Sequence, residues 1–246
     1  MQNPQQERRL HSYFYVVKRA IPNALTMLNL FSGSLGIYLI FNDRPDLTLL
    51  AALICLMADM LDGVAARALG VSSELGVQLD SLADVVSFGV LPSCILASLL
   101  MGCPGKLTVY LVPAAFLFVC GAALRLAKFN VDTRDRKTFY GLPTPSAAVA
   151  VFGILLVIES GHRYAEVFKC NNEIFILLVV LLPPLMLSNL RLWSFKGLRE
   201  QNGKVILGLF LTIFAALTIW LGVAAIPIMV GLYIFVGLIN VYAKFY

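Results

Sequence analysis

The chain has 246 residues, of which 59% are hydrophobic and 13% charged, with a formal net charge of +5 and a mean hydropathy of +0.84. A soluble domain carries about 25% charged residues, so this composition excludes an ordinary soluble globular protein and points to one embedded in lipid. Nor does the positive charge argue for nucleic-acid binding. The basic residues fall in short blocks between long apolar runs, where they act as anchors to an anionic membrane face.

The N-terminus is polar from Gln2 to Arg9. No small-residue cleavage site follows a short apolar core, so no cleavable leader is expected. Between Arg8 and Arg19, Leu10, Tyr13, Phe14 and Val17 recur at helical spacing with basic residues at both flanks. That pattern predicts an amphipathic helix on the cytoplasmic membrane surface within residues 1–21. Crossing a bilayer takes about 20 mostly apolar residues. Spans are predicted at 22–42, 47–68, 80–101, 107–128, 144–160, 173–190, 205–222 and 225–243. The count falls to six or seven if one late segment is re-entrant. The expected fold class is all-α, a polytopic membrane helical bundle of about eight transmembrane helices. With the N-terminus inside, 15 of the 19 basic residues fall on the cytoplasmic side, leaving Arg44, Lys106, Arg163 and Lys169 outside. Both termini are then cytoplasmic.

Pro183 and Pro184 in the sixth span predict a kink, and Gly208, Gly222, Gly231 and Gly237 read as helix-packing positions. The five cysteines form no CxxC pair, so zinc and dithiol chemistry have little support. Cys55, Cys94 and Cys120 lie in apolar runs and are expected to be buried. Cys103 and Cys170 fall in loops on the same side, as free thiols or as a disulfide.

The chemistry concentrates between residues 59 and 84. Asp59 and Asp62 are three apart near the cytoplasmic end of the second span, and Asp80 and Asp84 are four apart at the start of the third. Both spacings put a pair of carboxylates on one helical face, and the short link from Ala68 to Gln78 makes the two helices neighbours. Four carboxylates converging near a bilayer are costly and repel one another. Divalent metal compensates, and oxygen ligands without a His/Cys cluster suit Mg²⁺, Mn²⁺ or Ca²⁺. Two such ions sharing carboxylates suit in-line phosphoryl displacement. Gly63 and Ala66 leave room for a ligand or helix, Arg67 can bond phosphate, and Ser72, Ser73 and Gly76 form a loop able to meet a diphosphate. The competing readings are arginine-paired interhelical ties and a cation or proton transporter. The first lacks sufficient positive charge nearby. The second scatters its acids along a path rather than at one interface.

Asp59, Asp62, Gly63, Ala66, Arg67, Gly76, Asp80 and Asp84 form the string D-x2-D-G-x2-A-R-x8-G-x3-D-x3-D. This resembles the signature of the CDP-alcohol phosphatidyltransferases without departure. Pro22 to Asn29 at the start of the first span is similar to that family's N-terminal segment. The resemblance implies a six-helix catalytic core (22–190) followed by a C-terminal pair of helices (191–246), and commonly a homodimer. It implies two divalent cations, one on Asp59, Asp62 and Asp80, the other on Asp59, Asp80 and Asp84, with Asp84 as the catalytic base. It further implies that Asp59, Gly63, Arg67, Ser73, Gly76, Asn23 and Thr26 hold the CDP part of a CDP-linked lipid. Arg125-Leu-Ala-Lys128-Phe-Asn130 and Phe139-Tyr-Gly-Leu-Pro-Thr-Pro-Ser-Ala-Ala148 resemble the family's bacterial and archaeal serine-using branch, with Lys128 where arginine is usual. That branch implies CDP-diacylglycerol and L-serine as substrates and a bacterial or archaeal cytoplasmic membrane. Serine carries a carboxylate that needs a cation. Arg125 can supply it, with Lys128 and Asn130 as alternatives and positive-inside anchoring as the competing role. Glycerol 3-phosphate or an inositol phosphate is the alternative acceptor and would demand more convergent cations.

Overall fold

The computed structural model describes residues 4–71, 73–103, 105–131, 139–188, 190–192 and 201–242. Ser72 and the basic residues Arg134, Arg136, Lys137, Lys196, Arg199 and Lys244 lie outside them. So do the side chains of residues 1–17, which carry the predicted amphipathic face, and those of Arg191 and Lys204.

The protein is a helical membrane bundle. Helix α1 (Pro4–Ile40) runs without a break from the N-terminal segment into the first span, through Pro22. The expected boundary at residue 21 is therefore not an interruption of the helix. A sharp turn leads into α2 (Pro45–Leu69), which starts with proline in its first turn and Asp46 paired to Arg44 at 3.2 Å. It ends on Gly70 in the left-handed conformation (φ 62°), which returns N–H bonds to Ala66 and Arg67. Only residues 70–73 separate it from α3 (Glu74–Val85), capped by Ser73, whose hydroxyl accepts from the Gly76 N–H at 3.0 Å. The link is shorter than the expected Ala68–Gln78, and Gly76 is a first-turn residue of α3 rather than part of a loop.

Helix α3 passes through one π turn (Val86–Val90) into α4 (Leu91–Met101). Such turns interrupt regular helices and cluster at functional sites. Here the turn lies two residues beyond Asp84 and admits α1 closely. A β-carbon on Gly33 would come within 2.9 Å of the Ser87 main chain. The fourth span is two pieces, α5 (Thr108–Ala114) and α6 (Leu117–Val131), with Pro113 at the junction. Then follow α7 (Thr144–Glu159), the single-turn α8 (Ala165–Phe168) and α9 (Asn172–Leu187), capped by the Asn171 side chain. The chain ends in α10 (Gln201–Leu221) and α11 (Ala225–Tyr242), joined by a 3₁₀ turn at Gly222–Ala224.

A two-residue antiparallel ladder, β1 (Phe139–Tyr140) and β2 (Arg191–Leu192), joins the segments before α7 and after α9. It accounts for part of the Phe139–Ala148 motif. Gly141 has φ 75°, donates to the Leu190 carbonyl at 2.9 Å, and has no room for a β-carbon against the Met186 carbonyl.

Among the described residues, five helical stretches are long and apolar enough to cross a bilayer: 18–40, 45–69, 74–101, 108–131 and 208–238, the last interrupted by the 3₁₀ turn. The expected spans at 144–160 and 173–190 are shorter apolar helices, Thr144–Glu159 and Glu173–Leu187. Helix α1 lies along α2 and against α3, α6 packs on α9, and α11 packs on α7. Gly121 of α6 brings Pro183 of α9 close, and Gly153 of α7 brings Pro227 close. In contrast, Gly208 and Gly231 face open space, so they are not close-packing positions, and Gly222 (φ 59°) is a turn residue. Cys55 and Cys94 are buried, but Cys120 is exposed on the outer side of α6. Cys103 and Cys170 form a disulfide, with Cα atoms 5.1 Å apart, tying the loop after α4 to the loop before α9.

Candidate active site

Three helices build the site. The polar residues of α1 recur at Asn23, Thr26 and Asn29, a three-residue spacing that lines them along one face. That face lies against α2 and α3, and burial follows: Thr26 is 4% exposed and Asn29 0%. From α2 come Asp59, half-buried, and Asp62, buried. From α3 come Asp80, half-buried, and Asp84, buried. Carboxylate oxygens of Asp59, Asp62 and Asp80 all lie within 4.8 Å of one another. Asp84 lies close enough to Asp59 for the two carboxylates to interact electrostatically.

Each buried carboxylate has a partner on α1. The Thr26 hydroxyl donates to Asp62 Oδ2 at 2.7 Å, with the Pro22 carbonyl as a second acceptor at 3.0 Å. Asn29 Nδ2 makes a longer contact, 3.4 Å, to Asp84 Oδ1. Arg67, the arginine nearest the cluster in sequence, forms no ion pair with any of the four aspartates, so the reading as arginine-paired ties finds no support in it. The donor set is all oxygen, anionic and convergent, which fits a hard divalent cation and not a soft one.

A cleft of about 150 Å³ opens from one side of this cluster. It is lined by Asn23, Thr26, Gly63, Ser73 and Gly76, all expected at a CDP group, together with Asp62 and Asp80. Gly76 matters sterically, since a β-carbon there would meet Ser73 Oγ at 3.0 Å and Asn23 Oδ1 at 3.4 Å. Arg67 does not line the cleft. It is exposed, and its guanidinium lies over Gly63, where an added β-carbon would be 3.4 Å from Nη1. Arg19 of α1 lines the cleft instead.

The acceptor candidates separate. Arg125 of α6 turns inward. Its Nη1 donates to Thr144 Oγ1 at 2.8 Å, and it is near enough to Asp84 and to Tyr233 of α11 for direct electrostatic interaction. Its Nε is buried without a hydrogen-bond partner. Asn130 donates to Ser81 at 2.8 Å, one residue from Asp80. Lys128 is exposed. Sequence reasoning missed Arg19, counted only as a basic flank, and Asn29, Thr144 and Tyr233. The three-residue polar repeat in an otherwise apolar helix was a usable signal for Asn29. Nothing local marks Tyr233, whose neighbour is 108 residues away in sequence.

Aspartates paired across two helices, beside a small cleft at the end of membrane spans, form an acidic cluster that could hold a divalent metal ion. The model of the CDP-alcohol phosphatidyltransferase family matches residues 19–236, and the chain belongs to that family. Over 221 residues it is 32% identical to a CDP-diacylglycerol–serine O-phosphatidyltransferase of Helicobacter pylori, covering 89% of this chain and 90% of that protein. It is 34% identical over 171 residues to the enzyme of the same name from Methanocaldococcus jannaschii, covering 70% of this chain and 72% of that one. An archaetidylserine synthase of Methanothermobacter thermautotrophicus is 36% identical over 139 residues, 56% of this chain and 58% of its own length.

Proposed function

We propose that the protein transfers a phosphatidyl group from CDP-diacylglycerol to L-serine, giving phosphatidylserine and CMP in phospholipid biosynthesis. The observation that carries this reading is the position of Arg125. It is a cation turned into an apolar bundle within electrostatic range of Asp84, with one nitrogen held by Thr144 and another buried without a partner. A carboxylate-bearing acceptor completes it. The cleft meets the cluster at Asp62 and Asp80, while Arg125 lies within electrostatic range of Asp84. Leaving group and nucleophile therefore approach the phosphorus from different ends of the cluster, as in-line transfer requires.

In this mechanism Asn23, Thr26, Gly63, Ser73 and Gly76 receive the cytidine diphosphate, with Arg19 at its phosphates. Arg125 orients the serine carboxylate. Asp84 accepts the proton of the serine hydroxyl as its oxygen bonds to the lipid-bearing phosphorus and the bond to CMP breaks. Two divalent cations, Mg²⁺ or Mn²⁺, held by Asp59, Asp62, Asp80 and Asp84, supply charge neutralisation for the diphosphate and the departing CMP.

The same reading puts the site at the cytoplasmic face of a bacterial or archaeal membrane, with both termini inside and eight spans. The basic-residue bias supports this. So does the disulfide, whose loops fall on the opposite side, since such bonds persist in oxidising compartments. The interfacial N-terminal helix, the core at 22–190, the C-terminal pair at 191–246 and a homodimer are carried over from the sequence pattern and the family resemblance.

The test is CMP release by purified protein with CDP-diacylglycerol and Mn²⁺ or Mg²⁺, supplying L-serine, glycerol 3-phosphate and inositol phosphates separately. Serine-dependent release is expected, with Arg125→Ala raising the serine KM and leaving the KM for CDP-lipid unchanged. Release only with a phosphorylated acceptor ends the serine reading and leaves the aspartate cluster in place.

A further inference from the structure

Resting on the acceptor reading above, we infer that Asn29 determines acceptor specificity: its side-chain oxygen receives the ammonium of an α-amino acid whose carboxylate is held by Arg125. A carboxamide in the middle of an apolar span is retained only where its polar atoms find partners. Asn29 is wholly buried. Its Nδ2 faces Asp84 Oδ1 at 3.4 Å, which sets the orientation of the amide, because the reversed amide would oppose its oxygen to a carboxylate. The backbone is held too, since the Asn29 carbonyl accepts from Cys55 Sγ at 3.4 Å. Yet Asn29 Oδ1 is buried with no hydrogen-bond partner.

Arg125 Nε is the complementary case, a buried donor with no partner, on a guanidinium already fixed by Thr144. Both groups are oriented toward the same carboxylate: Asn29 contacts Asp84 directly, and Arg125 lies within electrostatic range of it. A ligand that fills them presents one cationic donor and one anionic acceptor, with a hydroxyl able to reach Asp84. A β-hydroxy α-amino acid has this arrangement. A polyol phosphate supplies an anion for Arg125 but nothing for the Asn29 oxygen. The site thereby selects for an ammonium as well as against its absence.

The experiment compares three acceptors at saturating metal: L-serine, glycerate (hydroxyl and carboxylate, no ammonium) and ethanolamine (hydroxyl and ammonium, no carboxylate). The parent protein is expected to prefer serine over glycerate by at least about tenfold in kcat/KM, the effect of one bond to a charged group. Asn29→Ala is expected to raise the serine KM about tenfold, to leave the CDP-diacylglycerol KM unchanged, and to collapse the serine-to-glycerate preference. Arg125→Ala collapses the serine-to-ethanolamine preference instead. A purely structural Asn29 would depress all acceptors alike, so an unchanged serine-to-glycerate ratio in Asn29→Ala overturns the proposal. A shift confined to the metal midpoint does the same. If Asn29→Ala does not fold, the parent protein still decides: glycerate used as well as serine leaves no ammonium site to assign. Absence of any serine-dependent release in the parent removes the underlying reaction, and the proposal with it, which separates the two failures.

Discussion

Thr26→Val tests whether α1 holds the aspartate cluster in shape. Valine reproduces the outline of threonine and removes only the hydroxyl. That hydroxyl is 2.7 Å from Asp62 Oδ2 and 3.0 Å from the Pro22 carbonyl. It has one proton to give, and the shorter contact is to the carboxylate. Both side chains are buried, at 4% and 6% exposure, so the bond is largely shielded from water although both residues line the cleft. Losing a hydrogen bond to a charged group costs about 1.5–3 kcal/mol. Outer partners of metal-ligating side chains are worth about 10–100-fold in metal affinity or activity. Titrating CMP release with Mn²⁺ should therefore show a midpoint raised about 10- to 100-fold, the rate largely recovering at saturating metal. Thr26→Ser should restore the parent midpoint. Thr48→Val is the control: that hydroxyl is equally buried, but it bonds the Arg44 carbonyl at 2.9 Å at the far end of α2. It should leave the metal midpoint where it was. Equal midpoints for Thr26→Val and the parent would refute the role given to α1.

The remaining predictions concern chemistry, packing and the outer face. Asp80→Asn or Asp84→Asn should abolish CMP release while circular dichroism shows the same helix content; substantial residual turnover in either would contradict the roles assigned. Gly33→Leu should lower the thermal midpoint, because its β-carbon would fall 2.9 Å from the Ser87 main chain, and overpacking costs about 1–3 kcal/mol. Gly208→Leu, with nothing within 4 Å, should not. Replacing Cys103 and Cys170 together by serine should lower the melting temperature, since closing a loop of 67 residues is worth about 4 kcal/mol at most. Metal-dependent activity should survive, because Asp84 and Cys103 are separated by roughly 28 Å of helix.

Much of the site is legible in the order of the residues. The aspartates can be assigned to two helical faces because side-chain direction repeats every three to four residues, whatever surrounds the helix. Their convergence follows from a link too short to let α2 and α3 separate. Other features are not legible, each for a physical reason. Gly76 reads as part of a loop because its role depends on Ser73 acting as a cap three residues earlier. The course of the Arg67 side chain over Gly63 is not legible either, because a sequence does not show which way a long, flexible side chain lies. The disulfide stays one of two options because pairing depends on the distance between two loops 67 residues apart. The glycines of the last spans look alike, yet Gly208 and Gly231 meet nothing and Gly222 is a turn.

The amino-acid sequence by itself determined the membrane class, most of the helices and which carboxylates come together. Those are local properties, set by hydropathy over about 20 residues and by helical periodicity. The tertiary structure decided what surrounds the carboxylates. Thr26 and Asn29 of α1 hold Asp62 and Asp84, Arg125 of α6 turns inward onto Thr144 of α7, and Tyr233 of α11 closes in beside it. These pairings join residues 19 to 108 positions apart, and only the packing of one helix on another brings such residues within reach of a hydrogen bond or a charge.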